Sequence, residues 1–136
     1  MIKIILDTNI LISLLIGKEF RKYQTYIFDN EDIQIIANRE LLSEFLDVVK
    51  KPKLQKYFDS TLVEEFTTKL INQSIFIEGL SKVNICRDFK DNFLLSLAKD
   101  GKADFLISSD MDLLVLDSFE NTKITTLSNF ISSHLI

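Results

Sequence analysis

The sequence predicts one α/β domain of three layers, α/β/α, built on a parallel sheet of four to five strands and spanning residues 1–136. Short β-branched segments alternate with longer amphipathic ones, which is typical of parallel strands covered by helices on both faces. A length of 136 residues suits a single domain. Apolar residues form 46% of the chain, enough for such a core, and three glycines and one proline give no sign of a linker.

Five segments have the length and composition of buried strands. Each is short, apolar and bounded by polar residues, and the two most apolar segments are each followed closely by an aspartate. The strand segments are residues 2–6, 33–37, 74–78, 103–108 and 123–127.

Apolar residues at spacings of three and four predict helices between these strands. Asn38 is expected to cap the strongest helix, Thr61 with Glu64 resembles a capping box, and Ser128 is expected to cap the last helix. Gly101 suits a helix C-terminus. The first helix is predicted to begin at 7–9. Further helical segments are predicted at 20–30, 39–50, 61–73 and 91–100, followed by a short helical turn from 110 and a final helix after 128. Residues 79–90 are predicted to form a loop.

Histidine and cysteine are almost absent, which removes several chemistries. His134 is the only histidine, and a frayed C-terminus would hold its imidazole poorly. Cys86 stands alone, which excludes a disulfide framework and a cysteine-rich zinc site. If the chain is an enzyme, we expect carboxylates to carry the chemistry.

Hydropathy and net charge indicate where the protein is located and what it could bind. No segment approaches the ~18 consecutive apolar residues of a membrane span, and Asp7 ends the first apolar run too early for a signal peptide. The protein is therefore expected to be soluble and cytoplasmic. Its net charge of −4 fits either an ordinary acidic domain or several acids that converge on a metal ion.

Two aspartates follow the two most apolar strands, at the edge where parallel sheets bind ligands. Asp7 comes directly after residues 2–6, and Asp110 lies two residues beyond 103–108. Either residue could instead be a helix N-cap, as could Asp91 at the start of 91–100.

Glu44 lies beside the apolar face of its predicted helix. At about 100° per residue, Val48 and Leu41 fall about 40° and 60° from it around the axis. A carboxylate in that position either bends outward to water or needs a partner. A metal ion is one such partner, and a site of carboxylate oxygens alone suits Mg²⁺ or Mn²⁺.

The ordered acids resemble those of the PIN-domain family over nearly the whole chain. The motifs are Leu6-Asp7-Thr8-Asn9, then Glu44 on a helix, then Arg87-Asp88-Phe89-Lys90-Asp91-Asn92, then Ile107-Ser108-Ser109-Asp110-Met111-Asp112-Leu113-Leu114. Asp-Thr-Asn alone recurs by chance, but the ordered set of four acids is a specific signal. The chain looks most like the VapC-like toxin ribonucleases of toxin–antitoxin pairs.

The resemblance implies a ribonuclease that uses one or two Mg²⁺ or Mn²⁺ ions to cut single-stranded or looped RNA and leaves a 5′-phosphate. The implied catalytic residues are Asp7, Glu44, Asp91 and Asp110. The implied metal ligands are Asp7, Asp91, Asp110 and Asp112, with support from Thr8, Asn9, Asn92 and Ser108. Two positions depart from the family pattern: Ser109 stands where glycine is common, and Phe89 where proline is frequent.

The resemblance also implies partners. A small antitoxin protein would lay a helix in an apolar groove, and a homodimer is expected as well. Arg39, Arg87 and Lys90 are candidates for RNA contact, although scattered basic residues usually serve solubility. Six aromatic residues could line the groove or belong to the core: Phe20, Tyr23, Tyr26, Tyr57, Phe58 and Phe66.

Two other functions fit parts of the pattern. A binding module could keep the fold without the chemistry, although all four acids are retained. A phosphatase with an aspartyl nucleophile would need a second aspartate two residues after Asp7, where Asn9 stands. A receiver domain would need an acidic pair before its phosphorylated aspartate and a late lysine, and the sequence lacks that arrangement.

Overall fold

A central sheet of six strands has helices packed on both of its faces, which confirms the predicted fold class. The computed structural model describes residues 1–78 and 81–134. The strands, in chain order, are β1 Ile2–Leu6, β2 Ile33–Ala37, β3 Ser74–Phe76, β4 Phe105–Ile107, β5 Ser118–Phe119 and β6 Thr122–Thr125.

The strand order across the sheet is β3-β2-β1-β4-β6-β5. The first five in that order run parallel, whereas β5 pairs antiparallel with β6. The sequence did not predict β5, because a two-residue strand is too short to show a hydrophobic pattern. The chain leaves β1 in one direction toward β2 and β3 and later returns to the other side of β1 with β4. The β1–β4 boundary is therefore the topological switch point, where ligands bind in open parallel sheets.

The predicted helices are present with shifted ends. Residues 20–30 form a 3₁₀ turn and a short helix, and a second 3₁₀ turn follows Lys51. The helices are α1 Thr8–Ile16, α2 Gln24–Phe28, α3 Arg39–Val49, α4 Ser60–Gln73, α5 Phe89–Gly101, α6 Met111–Leu114 and α7 Leu127–His134, with 3₁₀ turns at Arg21–Tyr23 and Pro52–Tyr57. Of the predicted loop 79–90, Gly79 and Leu80 lie outside the described residues.

Alternation along the central strands supplies two separate cores. Ile4 and Leu6 of β1 face a cluster formed with α1, α2, α3, α4 and α7. Ile5, between them, faces a second cluster formed mainly with α5 and α6. Because successive side chains of a strand point to opposite faces, one short apolar segment supports both layers.

Two predicted helix caps are wrong by two residues, and the cap alternative for Asp91 does not hold. Asp59, and not Thr61, caps α4 by accepting from two backbone N–H groups. The hydroxyl of Thr126, and not Ser128, accepts from a backbone N–H at the start of α7. Asp88 caps α5, so Asp91 lies inside the first turn of the helix. By contrast, Asn38 caps α3 as predicted.

Gly101 and His134 lie away from the strand ends that carry Asp7 and Asp110. Gly101 is the last residue of α5, and a Cβ there would lie 2.6 Å from Ile36 Cγ2, so the glycine lets α5 approach β2. His134 is not on a frayed tail: its ring makes an edge-to-face contact with Phe105 at a centroid distance of 4.6 Å. Phe105 begins β4, so the only imidazole lies away from the end of β4 that Asp110 follows.

None of the helices in the described ranges combines the length and apolar character needed to cross a bilayer.

Candidate active site

Four elements bring acidic side chains to the switch point of the sheet. Asp7 follows β1 and Asp110 follows β4, which are neighbours in the sheet. Asp91 comes from the first turn of α5, and Glu44 from the middle of α3. The carboxyl ends of β1 and β4 therefore carry the predicted pair of aspartates, and two helices add the other two acids.

The Ser108 hydroxyl links the two strand-end aspartates. Its Oγ donates to Asp7 Oδ2 at 2.8 Å and accepts from the Asp110 backbone N–H at 3.0 Å. Ser108 is fully buried, so this hydroxyl has a fixed position between the two strands. Asp7 Oδ1 accepts a further hydrogen bond from the Thr8 N–H at 2.7 Å. Ser108 was predicted to support the acids, and its two bonds show how it can aim both.

Asp7 is also the N-cap of α1, so the cap interpretation and the site interpretation both apply to it. Burial raises the pKa of its carboxyl group above the ordinary value, while the bonds from Ser108 and Thr8 lower it in part, and nearby Glu44 raises it again. The donated hydrogen bonds fix the orientation of the Asp7 carboxylate, but they offset only part of the cost of burying its negative charge.

Asp91 is the most unusual acid of the site. Only 2% of the residue is exposed, and its Oδ2 has no hydrogen-bond partner among the described residues. Burial, followed by contact with the Asp110 carboxyl group, raises its pKa to about 7. An N-cap would satisfy such an oxygen with backbone N–H groups, but Asp88 occupies that position here. The fold thus buries a carboxylate and leaves one oxygen without a partner, which costs free energy unless a ligand completes it.

Three carboxylates could hold a cation together. Asp91, Asp110 and Asp112 each offer an oxygen, and these oxygens lie within 4.8 Å of one another. Asp110 Oδ1 also accepts from the Asp112 backbone N–H at 2.9 Å, so the Asp110 side chain caps the start of α6. The set contains only carboxylate oxygens and includes the Asp91 carboxyl group, whose Oδ2 has no partner among the described residues, so it fits Mg²⁺ or Mn²⁺.

Glu44 faces this region but is already paired. Its Oε1 lies 2.5 Å from Lys90 Nζ, and the two side chains are 29% and 54% exposed. Hydrogen bonding to Glu44 is the main reason that the pKa of Lys90 is raised. The sequence predicted that Glu44 would either bend outward or need a partner, and the structure supplies Lys90 of α5 as a partner. Helical periodicity placed Glu44 at the edge of the apolar face but carries no signal for a partner on another helix.

The basic residues predicted to contact RNA all form ion pairs. Arg87 donates to both oxygens of Asp112, at 3.1 and 3.2 Å. Arg39 pairs with Glu78 at 3.4 Å, and Lys90 pairs as described above. Asp88, which lies between Arg87 and Lys90 in the sequence, accepts from the Lys90 backbone N–H as a helix cap.

The remaining supporting residues differ in what they do. Asn92 is buried and anchors the preceding loop: it accepts from the N–H groups of Ile85 and Cys86 and donates to the Cys86 carbonyl oxygen. Thr8 is buried and its hydroxyl has no partner in the described structure. Asn9 is exposed at the start of α1, where its carbonyl oxygen accepts from Ser13, so its side chain is not buried beside Asp7.

The two departures from the family pattern are accommodated locally. Ser109 is exposed and is not among the residues with positive φ, so the turn before Asp110 does not require glycine. Phe89 is the first residue of α5 and is 82% exposed. Proline is favoured at that helical position, so the departure changes a surface residue and leaves Asp91 in place.

The aromatic residues considered for a partner groove divide into two groups. Phe66 lies in the core, with its ring 5.1 Å from Phe28 and 5.5 Å from Phe45, so it cannot line a surface groove. Tyr26 and Tyr57 are more than half exposed. Phe20, Tyr23 and Phe58 are partly buried against the first core.

Comparison with known proteins supplies three findings. The family model described as "PIN domain" matches residues 3–112. The uncharacterised protein MJ1680 of Methanocaldococcus jannaschii is 32% identical over 118 residues, which cover 85% of this chain and 75% of that protein. The crystal structure of PAE2754 from Pyrobaculum aerophilum matches with a TM-score of 0.64 at 15% identity, covering 99% of this chain and 91% of that one. The last likeness shows a shared fold.

Proposed function

This chain belongs to the PIN-domain family, and we propose that it is a metal-dependent endoribonuclease. PIN domains are generally metal-dependent nucleases, and the acidic cluster here is compatible with metal binding. The observation that carries the proposal is the buried Asp91 carboxyl group, which lies beside the carboxylates of Asp110 and Asp112 and whose Oδ2 has no hydrogen-bond partner in the described part of the chain. Such an arrangement is costly without a cation and favourable with one.

The residues divide the work as follows. Asp91, Asp110 and Asp112 would hold the ion, and Ser108 would keep Asp7 and Asp110 in fixed positions beside it. When bound, the ion would supply Lewis acidity, which activates water and offsets charge on the phosphate. Asp7, aimed by two donated hydrogen bonds, would orient the attacking water or a second cation. Burial of Asp7 and Asp91 limits competing contacts with bulk water and strengthens these interactions.

The substrate and setting follow from the resemblance of the motifs. We propose RNA that is single-stranded or looped, because an unpaired backbone can enter a carboxylate pocket more readily than a duplex. We also propose the toxin role of a toxin–antitoxin pair, with a small antitoxin protein as inhibitor, a homodimer, and a cytoplasmic location. The exposed Tyr26 and Tyr57 are available for a protein contact.

The test is cleavage of an end-labelled structured RNA with Mn²⁺, with Mg²⁺ and with chelator. The proteins are the wild type, Asp91→Asn, and Asp47→Asn as a matched control, since Asp47 is an exposed aspartate of α3. We expect cutting only with a divalent ion, unchanged in Asp47→Asn and at least about 100-fold slower in Asp91→Asn. Cutting that persists in chelator, or equal rates in the two variants, would refute the proposed site. No cutting by any folded protein would favour the binding module instead.

A further inference from the structure

A cavity separate from the acidic site lies where the end of α1 meets α4. It has a volume of about 430 Å³, and its walls come from the end of α1, the 3₁₀ turn Arg21–Tyr23, the start of α2 and one face of α4. Hydrogen bonds hold the turn against α1: Gln24 Nε2 donates to the Leu14 carbonyl oxygen at 2.7 Å, and the Arg21 N–H donates to the Gly17 carbonyl oxygen at 3.0 Å. The backbone of this wall is therefore fixed in place.

This cavity collects positive charge in a protein whose net charge is −4. Its only acidic lining residue is Glu65, because Glu19 and Glu64 neighbour lining residues in sequence without lining the cavity themselves. Its basic lining residues are all exposed, and they are Lys18, Arg21, Lys22 and Lys69. In the described part of the chain, no carboxylate oxygen lies within 4.0 Å of any of these four cationic groups. They are available to an anionic ligand.

The basic residues around the acidic site are not available in this way. Arg39, Arg87 and Lys90 each pair with a carboxylate. A divalent ion would attract the phosphate that is cut, but the affinity of a protein for a nucleic acid chain comes from several contacts between cations and phosphates. An RNA held by this acidic protein therefore needs cations from another part of its surface.

We infer that the basic cavity binds the phosphate backbone of single-stranded RNA, several nucleotides away from the bond that is cut. The inference rests on the proposed function, which supplies RNA as the ligand. Helix α1 links the two sites, because Asp7 caps its start and Leu15 near its end lines the cavity. Its nine residues span about 14 Å. An unpaired RNA strand of several nucleotides can cover that distance.

Aromatic rings beside the cavity favour RNA over an acidic protein segment. Lys22 Nζ lies 5.2 Å from the centre of the Tyr23 ring, which is itself 6.0 Å from the Tyr26 ring. Tyr26 follows the lining residue Thr25 and is 54% exposed. Sites for single-stranded nucleic acid combine a positive groove with aromatic rings on which bases stack. An acidic peptide would pair with the cations but would not need the rings.

The test measures RNA binding apart from cutting. A fluorescently labelled oligouridine of about 12 nucleotides is titrated in chelator, at several salt concentrations between about 0.05 and 0.3 M. The test variant is Arg21→Gln with Lys69→Gln, one cation from each wall of the cavity. The control is Lys99→Gln with Lys123→Gln, which makes the same charge change at two exposed residues outside the cavity. Circular dichroism verifies that both variants are folded.

We expect the test variant to bind the oligouridine about 20-fold more weakly than the wild type at about 0.1 M salt. The slope of log affinity against log salt should become shallower by about 1.4, because each phosphate contact to a single strand contributes about 0.7. The control should keep the slope of the wild type. In Mn²⁺, the test variant should cut the structured RNA with a raised KM and an unchanged kcat, since the acidic site is intact.

Three outcomes would overturn the inference: no binding of the oligouridine by the wild type, equal losses in the test variant and the control, or loss of binding to a polyglutamate peptide with RNA binding retained. The last would assign the cavity to an acidic protein segment. Failure of the proposed function gives a different result. In that case the oligouridine binds with the expected change of slope, which supports the cavity as an RNA site, but no protein cuts RNA in Mn²⁺ or Mg²⁺.

Discussion

Replacing Asp91 by asparagine should stabilise the metal-free protein and abolish its response to divalent ions. Asp91 is 2% exposed, and burial together with Asp110 raises its pKa from 3.8 to about 7. Between those values the folded protein keeps a proton that the unfolded chain releases. The free energy of unfolding therefore falls as pH rises from about 4 to about 7, and the whole penalty is present above pH 7. Asparagine keeps the shape of the side chain without the charge.

The size of the effect follows from the two pKa values. The rise in the Asp91 pKa from 3.8 to about 7 corresponds to about 4 kcal/mol, which is an upper value for the stability lost at pH 8 by keeping the ionised carboxylate in the folded protein. We expect metal-free Asp91→Asn to be about 2–4 kcal/mol more stable than the wild type at pH 8. At pH 5 most of the folded wild type is protonated at Asp91, so the advantage should shrink to about 1–2 kcal/mol.

The assay is urea denaturation at pH 5 and pH 8, with chelator or with Mn²⁺. In Mn²⁺ at pH 8 the wild type should gain stability because the ion binds only the folded state, and Asp91→Asn should gain none. Asp47→Asn, an exposed replacement on α3, should follow the wild type throughout. A variant that is less stable than the wild type in chelator at pH 8, or an advantage that does not shrink at pH 5, would refute the reasoning.

Three further substitutions test the frame of the site, each by urea denaturation. Gly101→Ala should destabilise the protein by about 1–3 kcal/mol, because its Cβ would meet Ile36 at 2.6 Å, whereas helix propensity alone would give a gain of about 1 kcal/mol. Ser108→Ala should lower the free energy of unfolding by about 1–3 kcal/mol, because it removes two buried hydrogen bonds, and it should weaken Mn²⁺ binding. The control Ser96→Ala removes only a hydrogen bond within α5 and should leave Mn²⁺ binding unchanged. Phe89→Pro should stabilise the protein by about 0.4–1 kcal/mol, since Phe89 is exposed at the first helical position and the preceding residue has extended backbone; a loss of stability would contradict that assignment.

Local patterns were sufficient to predict the α/β class, the five parallel strands and most helices. Strand composition and helical spacing act over a few residues, so they survive in the sequence without knowledge of the rest of the fold. The same short-range signals placed Asp7 and Asp110 after the two most apolar strands. Helical periodicity likewise placed Glu44 at the edge of an apolar face, and the almost complete absence of histidine and cysteine left carboxylates as the candidate chemical groups.

Cap positions and the shortest strand were harder, because each depends on backbone geometry that several nearby residues could supply. Asp88 and Asp91 are both good N-cap residues by type, and the sequence left the cap open as an alternative role for Asp91. The structure uses Asp88 as the cap, and Asp91 is buried with an oxygen that has no partner within residues 1–78 and 81–134. Because the cap lies three residues before Asp91, Asp91 is free to be the central acid of the candidate site.

Tertiary packing alone decided which charges meet. Lys90 and Glu44 lie on different helices, and Arg87 reaches Asp112 across 25 positions of sequence. The sequence marked these basic residues only as candidates for RNA contact, because ion pairing depends on how α3, α5 and α6 pack around the sheet. Burial is also a property of the assembled fold, so the raised pKa of Asp91 was not visible in its neighbours along the chain. The sequence by itself determined which acids reach the switch point, and the packing of helices from distant segments determined their partners and their charge.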